Sequence, residues 1–483
     1  MSSVTADYTV SNASEILALF GSWPLSGDTR QVPGGQPVIV RLTGPVSFGL
    51  DLSGYKFDHQ VTLLGTGPFT MAYSNHAFAA GPYSSSDING GLIIDDCANL
   101  RLFLLYIGDG ISAERSQDCV IERCWIDGDH FPATHPMSEP GGGAFGIYMH
   151  DTVRVSILDC HFSHWNTANV LESGTVDTLI QGTTSDHKRH DDFKQHSGVT
   201  RRTMRGNWSC RTTNRQDGDI TDGDAAHTDW NQTQGAGEMI DPVFEFNVIW
   251  YGPRLATQGA SDQNPDSSQQ GIFGGGTGSW TNATITQNFF ANNHASQVAL
   301  NGNGVHTGIN VTRNTLIAYQ MSTGQGYSVP ITEGTNDFNI ITTNSNRSGS
   351  AGPNGIFYDL GDVKDGNYDF VALAALGHFS GVASDATGFE IAMPSGGAAD
   401  RAHWANPDPA GAHLLLERVF QDGLHPGNVG WPVSEPWARQ YNFNGAIPSS
   451  FTGFYDMDGN NSAAIIAPQV LPSLLRLNVQ VGP

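Results

Sequence analysis

One arrangement of apolar and polar positions keeps returning along the chain. An apolar residue is followed by two variable ones, then Asn, Cys or Thr, another variable residue and usually a second apolar one. It runs as Ile121-Glu-Arg-Cys124-Trp-Ile126 and Ile157-Leu-Asp-Cys160-His-Phe162, and weakens at Ile180-Gln-Gly-Thr183 and Met204-Arg-Gly-Asn207. It returns as Phe244-Glu-Phe-Asn247-Val-Ile249, Ile285-Thr-Gln-Asn288-Phe-Phe290 and Val311-Thr-Arg-Asn314-Thr-Leu316, with a last copy read at Ile341-Thr-Thr-Asn344. The first positions lie 36, 23, 24, 40, 41, 26 and 30 residues apart. The short steps define the unit, and the long ones read as that unit carrying an insertion.

A unit of this length, rich in Gly, Asn, Thr and β-branched residues, leaves few architectures. Leucine-rich repeats need leucines at fixed spacing, which are missing. Helical repeats need apolar stripes of period 3.6, and this density of glycine opposes them. A β-solenoid remains, with coils stacked at the sheet spacing of about 4.8 Å and equivalent apolar residues filling the interior. The Asn, Cys and Thr positions then form one ladder along the axis. Chance similarity within a β-sandwich is the alternative.

On the rung phrase, the Asn ladder and the loop insertions, residues 30 to 350 resemble the right-handed parallel β-helix proteins of the pectate-lyase-like superfamily. That group includes polysaccharide lyases, glycoside hydrolases, epimerases and bacteriophage tailspikes. The resemblance implies an all-β fold: a cap over residues 1–30, the β-helix over 31–350 and a C-terminal cap or oligomerisation region over 351–483. The opening Tyr8-Thr-Val-Ser-Asn-Ala-Ser-Glu-Ile-Leu-Ala-Leu matches the short helix that starts such folds, with Ser11 or Ser14 expected to cap it. A helix is expected around Ala410 to Phe420.

Composition narrows the function. The 23 basic and 47 acidic residues leave a net charge of −24, the opposite of what a nucleic-acid binder needs. No apolar run is long enough to span a bilayer, and no basic amphipathic helix stands out. The N-terminus lacks the positive start and apolar run of a secretory signal, so Sec-type export is not expected. Five cysteines, Cys97, Cys119, Cys124, Cys160 and Cys210, without a CxxC pair, read as buried thiols rather than as a zinc site or disulfide framework.

The chemistry concentrates in one stretch. Eight of the 23 basic residues fall between Lys188 and Arg215, interleaved with His187, His190, His196, Asp186, Asp191 and Asp192. Stacking the coils that start at Ser173-Gly174 and Ser197-Gly198 puts Asp177 beside Arg201 and Gln181 beside Arg205. On a strand, Asp192, Lys194 and His196 would share one surface, with His227 and Asp229 on the same or a neighbouring one. Elimination from a uronate needs a cation on the carboxylate, a base for the adjacent proton and an acid for the leaving oxygen. Lys194 or His196 as base and Arg201 as cation meet that need, and Asp192 with Asp222 or Asp229 could serve hydrolysis. Arg202 and Arg205 are candidate substrate contacts. The insertion carrying Asp217, Asp219, Asp222 and Asp224 could hold Ca²⁺, which takes several hard oxygen ligands, although ordinary polar turns explain it as well. Trp208 and Trp230 are candidate sugar platforms, and Trp165, Trp250, Tyr251 and Trp280 share the same setting. Core packing is the alternative.

These readings converge on a carbohydrate-recognition protein. The first expectation is a phage-type spike or fibre, virion-borne or extracellular, that binds and can degrade a bacterial surface polysaccharide; the resemblance implies a homotrimer or larger particle assembly. A free polysaccharide lyase or epimerase on an acidic glycan is the second. A structural particle protein without a glycan site is the third.

Overall fold

The computed structural model describes residues 5–65, 87–128 and, between interrupting connections, the strands and turns of 145–343. It adds the short strands Thr70–Ser74, Ala77–Phe78, Ile356–Asp359, Ala383–Asp385, Gly388–Glu390 and Ala464–Ile466. The expected helix around 410–420 lies outside the described residues.

Each coil of the chain lays one short strand in each of three long sheets, of fourteen, ten and ten strands. In one coil these are Asp191–Gln195 in the third sheet, Thr203–Arg205 in the first and Trp208–Cys210 in the second. Every pairing between successive coils is parallel, and parallel crossovers of L-residues close right-handed. The fold is a right-handed parallel β-helix.

The interior follows the repeat. Ile121, Ile157, Ile180, Met204, Phe244, Ile285 and Val311 stand in register on the first sheet, all fully buried. Behind them runs the ladder Cys124, Cys160, Thr183, Asn207, Asn247, Asn288 and Asn314, also buried. Each Asn Nδ2 donates to the carbonyl of the preceding coil's apolar residue, as Asn247 does to Met204 and Asn288 to Phe244, both at 2.9 Å. The Oδ1 atoms of Asn247, Asn288 and Asn314 each accept from the backbone N–H and Nδ2 of the Asn below, at 2.9–3.1 Å, and Asn207 Oδ1 accepts from the Thr183 N–H and hydroxyl at 3.0 and 2.8 Å. Cysteine takes over the donor role: the Cys160 thiol faces the Ile121 carbonyl at 3.4 Å.

The last copy of the phrase was misplaced. Ile341 pairs with Leu316 in the second sheet, and the residue in register with Val311 is Asn336. The phrase carries two apolar positions five residues apart, one for each of two sheets, and its sixth position here imitates its first.

The N-terminal cap also differs from expectation. Tyr8–Val10 is a strand paired with Val38–Leu42, and the helix begins only at Ala13. Its cap is Asn12, not Ser11 or Ser14: Asn12 Oδ1 accepts from Glu15 N–H at 3.0 Å, and Glu15 returns a carboxylate to Ser11 N–H at 2.7 Å. Ser11 is thus one residue too early, and Ser14 already lies in the first turn. Phe20 and Trp23 close the coil end against Phe57, with ring centroids 5.2 and 5.6 Å away. Among the described residues no helix is long and apolar enough to cross a membrane.

The insertions share one corner. Residues 128–144, 211–227 and 251–268 all connect a second-sheet strand to the next third-sheet strand. Long connections carry function more often than the strands they join, which makes the third sheet the place to look for it.

Candidate functional site

Strand parity decides what the third sheet shows to the outside. In Phe145–His150, Ile147 and Met149 are core residues, so Tyr148 and His150 face out, and Phe145, on the far side of a corner at Gly146, is half-buried like them. Tyr148 and His150 lie parallel, 6° between planes and 6.3 Å between centroids, and Phe145 stacks on Tyr148 at 6.1 Å. In Asp191–Gln195, Phe193 and Gln195 are interior, which turns Lys194 outward. Tyr148, Leu171, Lys194, Gln232 and Phe273 then stand in one row along the axis, of which Tyr148, Lys194 and Phe273 are half-buried and Leu171 and Gln232 buried.

Polar groups gather around Lys194. Its Nζ lies 3.4 Å from Asp191 Oδ2, and the backbone N–H of Asp229 donates to Asp191 Oδ1 at 2.8 Å. His196 is exposed at the end of the strand. Loss of water around the imidazole and the neighbouring Lys194 cation lower its pKa, against a hydrogen bond with Gln234 that raises it. His196 is therefore neutral at neutral pH and able to accept a proton.

Asp229 is fully buried and reaches Asp191 through its backbone N–H. Lys194 and His196 of the expected catalytic set thus lie at the end of one strand beside Asp191, on the sheet that also carries the Tyr148–His150 pair, which the sequence reading passed over. Their signal was present: aromatic residues at outward positions of one strand, and an acid three residues before Lys194. His227 and the acidic residues Asp217, Asp219, Asp222 and Asp224 lie outside the described residues. Among the described residues no three acidic, His or Cys side chains cluster as a metal site.

Asp192 is elsewhere. It is fully buried and accepts from Asn169 Nδ2 at 2.6 Å, so it cannot share a surface with Lys194. The strand rounds a corner here, and two successive side chains, Asp192 and Phe193, turn inside. Gly146 occupies the equivalent position two coils earlier, where a Cβ would come within 3.0 Å of the core side chains Phe162 and Trp165.

Arg202 is also interior rather than a substrate contact. It is fully buried with Glu172, Nε to Oε2 at 2.6 Å, and its guanidinium lies over the rings of Phe193 and Phe244. Burial lowers its pKa to about 10, while the Glu172 carboxylate raises it, so it stays charged. Trp230 is buried among Phe193, Phe244 and Phe290, with centroids 5.4–6.2 Å away, and offers no face to a sugar. Trp165 and Trp280 are buried as well. The side chains of Trp208 and Trp250, and all of Tyr251, lie outside the described residues.

Arg201 and Arg205 leave the site for different reasons. Arg205 stands on the outer face of the first sheet, 3.3 Å from Glu245 of the next coil. Arg201 does lie beside Asp177, and grips it with Nε and Nη2 at 2.5 and 2.9 Å. Both belong to a corner column of left-handed residues, Asp118, Arg154, Asp177, Arg201, Asp241 and Asn282, with φ between 51° and 59°. Charge alternates along its first five members, and Asp118 grips Arg154 at 2.6 and 2.7 Å in the same way. Arg201 therefore serves the coil corner.

No family model matches the chain, and no curated protein matches it. Solved structures do. The catalytic domain of a GH87 α-1,3-glucanase in complex with tetrasaccharides is 9% identical, over 74% of this chain and 65% of that one, with a TM-score of 0.33. The chain thus spans just under two thirds of that domain. A mannuronic acid specific polysaccharide family 6 lyase from human gut microbiota is 11% identical over 73% and 81%, with a TM-score of 0.34. A double mutant of the tailspike protein of E. coli bacteriophage HK620, in complex with pentasaccharide, is 10% identical over 70% and 58%, with a TM-score of 0.28. What they share with the chain is the fold.

Proposed function

We propose that this protein binds a bacterial surface polysaccharide along the outer face of the third sheet, as a phage-type spike or fibre on a virion or outside the cell. The observation that supports it is one outer face holding both the parallel Tyr148 and His150 rings and the Lys194–His196 polar strip. Sugars offer apolar ring faces to aromatic side chains and hydroxyl or carboxylate groups to polar ones. Tyr148, Lys194 and Phe273, the half-buried members of the row, span four coil steps, roughly 19 Å at about 4.8 Å per step, which suits an extended chain touching the face at intervals along the axis.

Cleavage on this face fits elimination from a uronate. Lys194 neutralises the carboxylate, neutral His196 takes the proton beside it, the electron pair forms the ring double bond as the glycosidic bond breaks, and the His196 imidazolium gives that proton to the leaving oxygen. The working particle in this proposal is a homotrimer, to be read from sedimentation of the intact protein.

Titration with host surface polysaccharide is expected to show saturable binding. Tyr148→Ala and Lys194→Ala should each weaken it about tenfold, or about 1.4 kcal/mol. Failure of the wild-type protein both to bind and to shorten any host polysaccharide sinks the reading. The pH profile tests the base separately. With His196 lowered, the acid limb of cleavage falls below the ordinary imidazole value of about 6.5, and Gln234→Ala, which removes the opposing bond, moves it lower still. A limb at or above the ordinary value excludes His196 as the base.

A further inference from the structure

The Arg202 guanidinium joins three successive coils inside the β-helix. Arg202 stands at the foot of the first-sheet strand Thr203–Arg205 and reaches across the interior to the third sheet. Nε meets Glu172 Oε2 on the coil before, at 2.6 Å. Nη1 donates to Asn231 Oδ1 on the coil after, at 2.5 Å. A guanidinium only donates, so the Gln195 amide turns its oxygen inward and accepts from Nη1 and Nη2 at 2.7 and 3.0 Å on the same coil. Thr175 adds a hydroxyl to Glu172 Oε1 at 3.2 Å.

The strands so joined, Ala168–Ser173, Asp191–Gln195 and Thr228–Thr233, are the ones that carry Leu171, Asp191, Lys194, Asp229 and Gln232. Between the last two of them the chain makes the connection 211–227, after which it must re-enter at the right residue. A slip by one residue would exchange inner and outer side chains along the whole strand. Buried Phe193 and Trp230 already oppose such a slip, because it would carry them to the outside, but apolar contacts have no direction and tolerate small displacements. A charged fork with directional partners on three coils does not.

We infer that Arg202 is a positioning residue: through Glu172, Gln195 and Asn231 it sets the strand register that puts Lys194 and Gln232 side by side, on the side of the sheet away from the interior. The inference stands whether or not that face binds a glycan, and its test involves none.

Lys194 and Gln232 are register partners on adjacent coils. Cysteines at both positions would have Cα atoms about 4.8 Å apart, inside the disulfide window of about 4.4–6.8 Å. Lys194→Cys with Gln232→Cys should cross-link readily in the otherwise native full chain. In the Glu172→Leu, Arg202→Met background the interior stays filled and Tm holds, while the cross-link yield should fall roughly tenfold as Gln232 leaves the outer row. Undiminished cross-linking in that folded background overturns the inference. Should that background fail to fold, Asn231→Leu keeps the Glu172–Arg202 pair and removes only the contact beyond the connection. It should lower the yield in the same way, and an unchanged yield overturns the inference equally.

Discussion

Replacing Asn247 by alanine is expected to destabilise the β-helix by about 3–5 kcal/mol. Asn247 Oδ1 accepts from the backbone N–H and Nδ2 of Asn207, and its own Nδ2 donates to Met204 O and Asn288 Oδ1. All of these groups are buried, and a truncated side chain strands several at once. Each unsatisfied buried group costs about 1–3 kcal/mol, and the vacated volume adds to it. Cys160→Ala, in the same column, should cost about 1 kcal/mol, since it loses one weak thiol bond and little volume. Denaturant unfolding of both variants checks the contrast. Equal losses would mean that the Asn ladder fills space without being bonded.

The second large effect comes from halving the interior ion pair. Glu172→Ala leaves the Arg202 charge buried without its carboxylate, and about 3–5 kcal/mol should be lost. Glu172→Leu with Arg202→Met removes both charges, and its stability should match or exceed the native value. The signature is therefore a double variant more stable than the single one. Additive losses in the double variant would show that the pair itself supplies net stability. Comparing this result with the cross-linking experiment separates what the pair does for stability from what it does for register.

Much of the architecture was open to inspection in the one-dimensional pattern. The positions of Ile121, Ile157, Ile180, Met204, Phe244, Ile285 and Val311 stack as their spacing requires, because inward residues of a stacked coil must be apolar in every copy. Asp177 and Arg201 meet for the same reason: they hold equivalent places in successive coils. The misreadings have one physical origin. Asp192, Arg202 and Trp230 were placed outside because polar or amphipathic residues in a charged stretch usually face water. Ile341 went astray because an apolar residue identifies the interior without saying which sheet supplies it.

Sequence by itself determined the period, the parallel stacking, the contents of the columns and the net acidic charge. Those properties depend on equivalence between copies, which spacing reveals. Only the tertiary structure decided which polar side chains turn inside and which line the outer face. That choice rests on a corner where two successive residues, Asp192 and Phe193, both point inward. It rests also on partners such as Glu172, Arg202 and Asn231, far apart in the chain and joined only when coils stack. A buried charge is tolerable only where its counter-charge arrives from another coil, and nothing local to Arg202 announces that Glu172 will be there.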